Sequence, residues 1–419
     1  MTVIVFVVAV VPTKFLPALA FSLFALGITQ FVPSGLPLGV SSAIMVVWFI
    51  KRVLAVARPS VSVARRYGST FAISGTRTLV PALAALLILW IFLLIEIGFL
   101  GASSVGWILS FIPVVVLPLL VADLSEEARV LERAWTVLGA VLGSYAVLEF
   151  VMGANVLYWA LGAESSQHWS VYRAEGPLGH PLLLGTFLAV ATVLAFGQWL
   201  EGRHSQSLVL AGLAMMGVLA TSSRGSLLAV VAGTTVAIVA VILKPGRSRR
   251  GRAFGLVAMI AVGAAVVLPL SPLFDRWVSD EAGDSTAART QIVELALSLA
   301  ARSGYLGSGA GTSSIAARDA GSTLPIEASP LQMLVSIGVP GLLLVGAIVI
   351  IALTRSFMGF CVAAAAGLGA FMVAISGYNF FDDRRSALIL LGAILIIALG
   401  RAASLRADSL AEDRGRSAA

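Results

Sequence analysis

Residues 285–302 read STAARTQIVELALSLAAR, in the middle of the stretch from Ser271 to Gly341. Away from the termini, this stretch is the longest run that is too polar to span a membrane and too long to be a turn. Its apolar residues recur with the spacing of one helix face: Ile292, Leu295, Ala296 and Leu299. We therefore expect an amphipathic helix over Ala287–Ala301, lying over the outer face of the protein with this stripe packed on membrane spans or lipid.

Glycines and a proline mark where this helix ends and where the next one begins. Residues 305–311 read YLGSGAG, and glycines of this kind end a helix and let the backbone approach another group closely. The polar stretch ends at Glu327. Ser329 then suits the N-cap of a new apolar helix, and Pro330 suits its first position.

The composition is that of a polytopic membrane protein. Hydrophobic residues make up 59% of the chain and charged residues 12%, whereas soluble domains carry about 25% charged residues. The net charge of +7 therefore indicates orientation in the membrane, and we expect membrane lipid but no nucleic acid as a partner. Cys361 is the only cysteine, and the three histidines lack metal-ligand spacing, so the sequence predicts no disulfide, metal site or cofactor.

Apolar runs of about 20 residues predict the transmembrane helices. The runs are Phe15–Phe31, Leu36–Val53, Leu79–Phe99, Val105–Val121, Trp135–Met152, Pro181–Leu200, Leu208–Ala220, Ser226–Leu243, Ala253–Leu270, Leu331–Leu353, Phe357–Ile375 and Ala387–Leu399. The run Met1–Val11 would add one more. The expected fold is therefore all-α, with 12 or 13 transmembrane helices and one long extracytoplasmic loop. The predicted parts are transmembrane helices at 1–270, the loop at 271–329, C-terminal transmembrane helices at 330–402 and a cytoplasmic tail at 403–419.

Lysines and arginines predict the orientation. Six of them lie between Lys51 and Arg77, and five lie between Lys244 and Arg252. Because loops rich in lysine and arginine stay in the cytoplasm, these two loops are expected inside. Counting spans from them places four segments outside: Gly153–His180, Thr221–Gly225, Ser271–Ser329 and Gly377–Arg385. It places Asp123–Arg133, Glu201–Gln206 and the C-terminus inside.

Three arginines are predicted to lie at the outer membrane surface. Arg224 lies in the short turn Thr221–Gly225, Arg173 lies in the loop before His180, and Arg289 lies on the loop helix. A guanidinium group matches phosphate oxygens with two parallel hydrogen bonds and keeps its charge. For Arg224 alone, a side chain that snorkels to the interface is the simpler interpretation. The three together favour a lipid-linked phosphate or diphosphate.

Four short blocks then follow one another along the chain. They are RAEGPLGHPLLLG from Arg173, TSSRGS from Thr221, ARTQI from Ala288 with GSG at Gly307, and LQMLVSIGVPG from Leu331. In their order and topology these blocks resemble the O-antigen ligase and polymerase family of bacterial polysaccharide assembly. The resemblance covers roughly residues 172–341.

The resemblance implies a glycosyltransferase of the bacterial cytoplasmic (inner) membrane with its active site on the extracytoplasmic side. Such enzymes transfer or polymerise oligosaccharide units from a polyprenyl diphosphate donor, such as undecaprenyl diphosphate, onto a glycan, lipid or protein acceptor, without a metal. Arg224 and Arg289 match family positions and are expected to hold the donor diphosphate. Arg173 is expected to be the third residue of this site.

One position departs from the family pattern. Ligases of this family carry a His-Asn pair that begins four residues before the leucine that is Leu331 here, and this chain has Glu327 and Ala328 instead. A carboxylate can act as a general base toward an acceptor hydroxyl, so Glu327 is the expected catalytic residue. The alternative is that Glu327 only complements a helix N-terminus, in which case His180 and Asp382 are the next candidates. The missing histidine favours a polymerase, or a ligase with another acceptor.

Two other functions stay open at this point. One is a transporter or flippase of polysaccharide or lipid-linked oligosaccharide, and the other is a non-catalytic partner of an export complex. Transporters tend to have internal repeats and ionisable residues near the middle of the membrane. This sequence shows no repeat, and its ionisable residues cluster at the ends of the predicted spans.

Overall fold

The computed structural model describes residues 10–28, 39–57, 75–96, 102–161, 171–202, 205–243, 251, 255 and 280–417. None of these residues lies in a strand, so the predicted all-α class is confirmed for this part of the chain. In chain order the α-helices of six or more residues are α1 (Leu16–Ala25), α2 (Val40–Ala57), α3 (Gly75–Glu96), α4 (Ala102–Phe111), α5 (Ser125–Met152), α6 (Val156–Leu161), α7 (Pro181–Glu201), α8 (Gln206–Ala220), α9 (Arg224–Leu243), α10 (Asp280–Arg302), α11 (Ser313–Asp319), α12 (Ser329–Ser336), α13 (Gly338–Met358), α14 (Val362–Ile375) and α15 (Leu388–Ser417).

Within the described residues, 6 helices are long and apolar enough to cross a membrane. They are Thr78–Ile95, Ser125–Met152, Pro181–Glu201, Arg224–Leu243, Gly338–Met358 and Arg385–Ala403. Shorter apolar helices are Thr13–Ala25, Ser104–Leu119, Gln206–Ala220 and Val362–Ile375. The total of 12 or 13 spans stays a prediction. The predicted span Ala253–Leu270 lies outside the described residues, apart from Gly255. Most of the run Met1–Val11 and most of the basic loop Lys244–Arg252 also lie outside them.

Small residues allow the helices to pack closely. Almost every side chain of α7 is buried, and α7 packs on α5, α8, α9 and α14. A Cβ on Gly197 of α7 would lie 2.3 Å from the Ala363 Cα of α14. A Cβ on Gly143 of α5 would lie 2.3 Å from the Leu213 carbonyl oxygen of α8. Because lipid is as apolar as the helices, close backbone contact of this kind is a main source of their association.

Helix α5 is longer than the predicted span Trp135–Met152. It begins at Ser125, so residues expected in a cytoplasmic loop form its first turns. One of them, Glu127, is 1% exposed and accepts a hydrogen bond of 2.8 Å from Arg52 Nε. A carboxylate can be buried when it is paired with a cation, so Glu127 can lie in the packed part of this helix.

The predicted span Leu331–Leu353 is broken into α12 and α13. Gly338 has a φ of +69°, and a Cβ there would lie 2.3 Å from the Leu306 carbonyl carbon. The Val339 N–H donates to the Tyr305 carbonyl oxygen, at 2.9 Å. The break therefore lets the segment that follows α10 pass directly over the start of α13.

The amphipathic helix predicted over Ala287–Ala301 is observed as part of α10. Its apolar stripe is covered by other helices. Ile292 is 5% exposed and Leu299 is 7% exposed, in a small core that α10 forms with α11 and α12. The other buried members of that core are Ala296, Ala317, Ile326 and Val335. Because α12 is the first part of the predicted span Leu331–Leu353, the stripe packs on a predicted span as well as on α11, and its position over the outer face of the protein stays a prediction.

Candidate functional site

Several helix ends meet at one end of the bundle, among them the C-terminal ends of α5 and α14 and the N-terminal ends of α7 and α9. We call this the site end. A Cβ on Gly185, near the start of α7, would lie 2.2 Å from Ser226 Oγ at the start of α9. The ring of His180, just before α7, stacks on that of Tyr378, just after α14, with 5.3 Å between centroids. The N-terminal ends of two helices are thus close to each other.

The opposite end of the bundle carries buried ion pairs. Glu127 pairs with Arg52, and Glu132 pairs with Arg401 Nε at 3.1 Å. Gln198, in the last turns of α7, donates to Glu132 at 3.1 Å. These residues belong to or adjoin segments predicted to be cytoplasmic, so the two predicted faces of the protein do lie at opposite ends of the bundle. Which side of the membrane each end meets stays a prediction.

Arg173 lies at the site end but is buried, with 3% of its surface exposed. Its Nε donates to the Thr221 carbonyl oxygen at 3.1 Å. The next residue, Ala174, donates its N–H to the Ala220 carbonyl oxygen at 3.0 Å. Arg173 therefore holds the turn that leads into α9, which is a different contact from the one predicted for it.

Arg224 is the first residue of α9 and is half-buried. Ser222 in the same turn has a φ of +48°, and Ser223 Oγ accepts a hydrogen bond of 3.3 Å from the Ser226 N–H, as an N-cap does. The N-terminus of a helix carries partial positive charge, so a cation there is unfavourable by itself. An arginine in this position is stabilised by an anion, which would also be attracted by the free N–H groups of the helix.

Arg289 is exposed on α10. It lies three residues before Ile292 and therefore on the same face as the buried stripe, one turn beyond the part that α11 and α12 cover. The structure thus ties Arg173 to the turn that leads into Arg224, and it places Arg289 on the separate loop. Convergence of all three on one cavity stays a prediction.

Glu327 lies two residues before α12 and is half-buried. Ser329, the first residue of α12, donates to the Tyr378 carbonyl oxygen at 2.8 Å and ties this helix to the end of α14. Burial raises the pKa of the Tyr378 phenol to about 12. The Arg384 guanidinium opposes this rise, and the carboxylate of Glu327 adds to it. Tyr378 and Arg384 are therefore close to each other, and the Ser329 hydrogen bond brings the start of α12, which Glu327 precedes, to the same turn.

His180 is the N-cap of α7. Its Nδ1 accepts a hydrogen bond of 3.2 Å from the Leu182 N–H, so the proton of the neutral ring is on Nε2. A ring in this tautomer has no free lone pair with which to take a proton from a substrate. The geometry therefore makes His180 a weaker candidate for the general base than Glu327.

Asp382 is buried, with 3% of its surface exposed. Its Oδ2 accepts hydrogen bonds from the Ser313 N–H, at 3.1 Å, and from the Ser336 hydroxyl. Burial raises the pKa of Asp382 to about 6, although these hydrogen bonds oppose the rise. The carboxylate joins α11, α12 and the turn after α14, and its burial keeps it from an incoming acceptor.

The glycines after α10 bring the loop onto α12. Ser308 donates its N–H to the Val335 carbonyl oxygen at 2.7 Å, and Gly309 donates its N–H to the Ser336 carbonyl oxygen at 3.0 Å. Gly307 has a φ of +104°, and a Cβ on it would lie 2.5 Å from the Ser336 oxygen. The prediction that these glycines allow a close approach is confirmed, and the group approached is backbone of the same chain.

Glu149 is a residue for which the sequence indicated no specific role. It is fully buried near the end of α5 and accepts hydrogen bonds from Tyr172, Glu175 and Gly176. The only signal in the sequence was a single carboxylate near the end of an otherwise apolar run. Its partners lie 23 to 27 residues away along the chain, beyond the reach of any periodicity.

A comparison with known families supports the resemblance found in the sequence motifs. Residues 207–346 match the family model described as O-antigen ligase. The matched range includes Arg224, Arg289 and Glu327, and it ends within α13. A search of curated proteins found no match. The match covers 140 of the 419 residues, so the chain resembles the O-antigen ligase family over that part, and its apolar helices indicate a membrane protein.

Proposed function

We propose that this membrane protein of the O-antigen ligase type transfers or polymerises oligosaccharide units from a polyprenyl diphosphate donor outside the cytoplasmic membrane. The observation that carries the proposal is the position of Arg224. It is a half-buried arginine at a helix N-terminus, where its charge is unfavourable until an anion binds. A diphosphate supplies that anion, and we propose that Arg289 on the loop supplies a second guanidinium group for it.

In the proposed reaction, Glu327 is the general base. The acceptor hydroxyl gives its proton to the Glu327 carboxylate while its oxygen attacks the anomeric carbon of the donor sugar. The bond between that carbon and the diphosphate oxygen breaks, and polyprenyl diphosphate leaves with the electron pair. Arg224 and Arg289 stabilise the negative charge that grows on it. Direct displacement of this kind inverts the anomeric configuration.

The surroundings of Glu327 support this choice over the other two candidates. His180 uses its Nδ1 lone pair on the backbone of α7, and Asp382 is buried under α11 and α12. Glu327 is half-buried, and so is open to a substrate that approaches the site end. The missing family histidine favours polymerase activity, or ligation to another acceptor.

The proposal is tested first by deleting the gene and identifying the cell-surface glycan that shortens or disappears. The lipid-linked donor that accumulates in the deletion strain is then extracted and given to the purified protein in detergent. A ladder of products identifies a polymerase, and a single transfer identifies a ligase. A flippase needs a sealed membrane and makes no product in detergent, so a failure to form any new glycosidic bond would contradict the proposal.

Variants then separate the proposed roles. Glu327→Gln should lower turnover by about 10²–10⁴-fold, because it removes the general base, and should leave donor binding unchanged. Arg224→Ala and Arg289→Ala should each weaken donor binding by about 10–100-fold, since each removes hydrogen bonds to a charged group. Glu294→Gln and Arg318→Ala are matched controls, because both residues are exposed on helices of the same loop. Full turnover in Glu327→Gln would mean that this carboxylate only complements the helix end.

A further inference from the structure

A buried segment connects Glu149 of α5 to the turn that presents Arg224. Residues 173–178, which we call the strap, are all buried. At one end of the strap, Arg173 and Ala174 bond to the carbonyl oxygens of residues 221 and 220. At the other end, the peptide N–H groups of Glu175 and Gly176 both donate to the Glu149 carboxylate, at 2.9 Å each.

The carboxylate of Glu149 accepts three hydrogen bonds, and both of its oxygens take part. Its Oε1 accepts from the Tyr172 hydroxyl at 3.0 Å and from the Glu175 N–H, and its Oε2 accepts from the Gly176 N–H. Burial and the nearby Glu149 carboxylate raise the pKa of Tyr172, so its hydroxyl stays a donor. A residue with two acceptor oxygens and no donor is required here, since all three partners donate.

The strap is held from a second direction at the same residue, Gly176. Asn155 Nδ2 donates to the Gly176 carbonyl oxygen at 3.0 Å, and Tyr145 in turn donates to Asn155 Oδ1 at 2.9 Å. Gly176 has a φ of +56°, which glycine adopts without strain. The strap is thus anchored on α5 and α6 at its Gly176 end, so its Arg173 end has little freedom to move.

From these contacts we infer that Glu149 is a positioning residue for the donor site: it fixes the strap, and the strap fixes the turn that presents Arg224 to the diphosphate. This inference rests on the proposed function, since it takes Arg224 as a diphosphate ligand. Burying a carboxylate near the end of a membrane helix is costly. A bundle that needed only packing at this point could use an apolar residue.

The test compares Glu149→Gln with Glu132→Gln. Both carboxylates are buried on α5, about 25 Å apart along the helix axis, and Glu132 lies at the end of the bundle away from Arg224. In Glu149→Gln the amide nitrogen faces a donor, and one of the three hydrogen bonds is lost. Both substitutions remove buried polar contacts and can lower thermal stability. Only Glu149→Gln should change the geometry of the donor site.

The measurement is the affinity of the full-length protein in detergent for undecaprenyl diphosphate. The affinity for undecaprenol, which has the lipid tail but no diphosphate, is measured as the control. Glu149→Gln should weaken binding of the diphosphate about tenfold and leave undecaprenol binding unchanged. Glu132→Gln should change neither affinity. Equal diphosphate affinity in Glu149→Gln and the unsubstituted protein would overturn the inference.

A double-mutant cycle with Arg224→Ala shows whether Glu149 acts through Arg224. If it does, Glu149→Gln should have almost no further effect on diphosphate binding in the Arg224→Ala background. Additive effects would overturn the inference and leave the proposed function intact. Unchanged diphosphate binding in Arg224→Ala itself would instead overturn the proposed function.

If Glu149→Gln does not yield folded protein, Tyr172→Phe takes its place in the same cycle. This substitution removes one donor to the carboxylate and no charge. It should weaken diphosphate binding about threefold, and only in the background that keeps Arg224. Additivity, or no effect at all, would overturn the inference by this route as well.

Discussion

Replacing Gly338 with alanine tests how the loop is fixed to the membrane helices. Gly338 has a φ of +69°, which costs an L-residue about 1–2 kcal/mol. The new Cβ would lie 2.3 Å from the Leu306 carbonyl carbon and 2.5 Å from the Tyr305 oxygen, where ordinary contact begins at 3.4 Å. Relieving that overlap moves backbone away from the start of α13 and adds about 1–3 kcal/mol, as overpacking does. We expect Gly338→Ala to destabilise the protein by about 2–5 kcal/mol.

The matched control is Gly346→Ala, in the same helix. A Cβ at this position would meet nothing within 4 Å. Since alanine favours a helix over glycine, Gly346→Ala should be neutral or should stabilise by about 1 kcal/mol. The assay is the midpoint of thermal unfolding of each purified variant in the same detergent, followed by size-exclusion chromatography. Equal midpoints for Gly338→Ala and Gly346→Ala would refute the reasoning about the break between α12 and α13.

Two further predictions concern pH and topology. Burial raises the pKa of Asp382 from 3.8 to about 6, so the protonated side chain favours the folded state. Its contribution to the free energy of unfolding is lost as pH rises from about 4 to above 6. Asp382→Asn keeps an acceptor oxygen and stays neutral, so its stability does not depend on this ionisation. The unfolding midpoint of Asp382→Asn minus that of the unsubstituted protein should therefore increase as pH rises from 4.5 to 7.5. A difference that stays constant with pH would contradict this. For topology, single cysteines at Ser279 and Ser248 in a Cys361→Ala background should differ on intact cells, with only Ser279→Cys labelled by an impermeant thiol reagent. Labelling of Ser248→Cys alone would mean that the true topology is the inverse of the predicted one.

Local sequence patterns predicted the features that depend on near neighbours in the chain. Apolar runs indicated membrane helices, since length and hydropathy are properties of a continuous segment. The spacing of Ile292 and Leu299 predicted α10, and Gly307 indicated a close backbone approach. Arg224 could be placed at a helix N-terminus because the turn before it is only a few residues long.

Tertiary structure alone decided what those features contact. The stripe of α10 showed that one helix face is covered, but a periodic pattern carries no information about the covering elements, which are α11 and α12. Arg173 is a buried donor to the Thr221 carbonyl oxygen, a contact that no local pattern indicated, and its part in binding phosphate stays a prediction. Asp382 and Glu149 take hydrogen bonds from residues distant in the chain, and such pairings arise only when the helices pack. The chain determines its helices through local periodicity and hydropathy, whereas packing between distant segments determines which polar groups are left to act on a substrate.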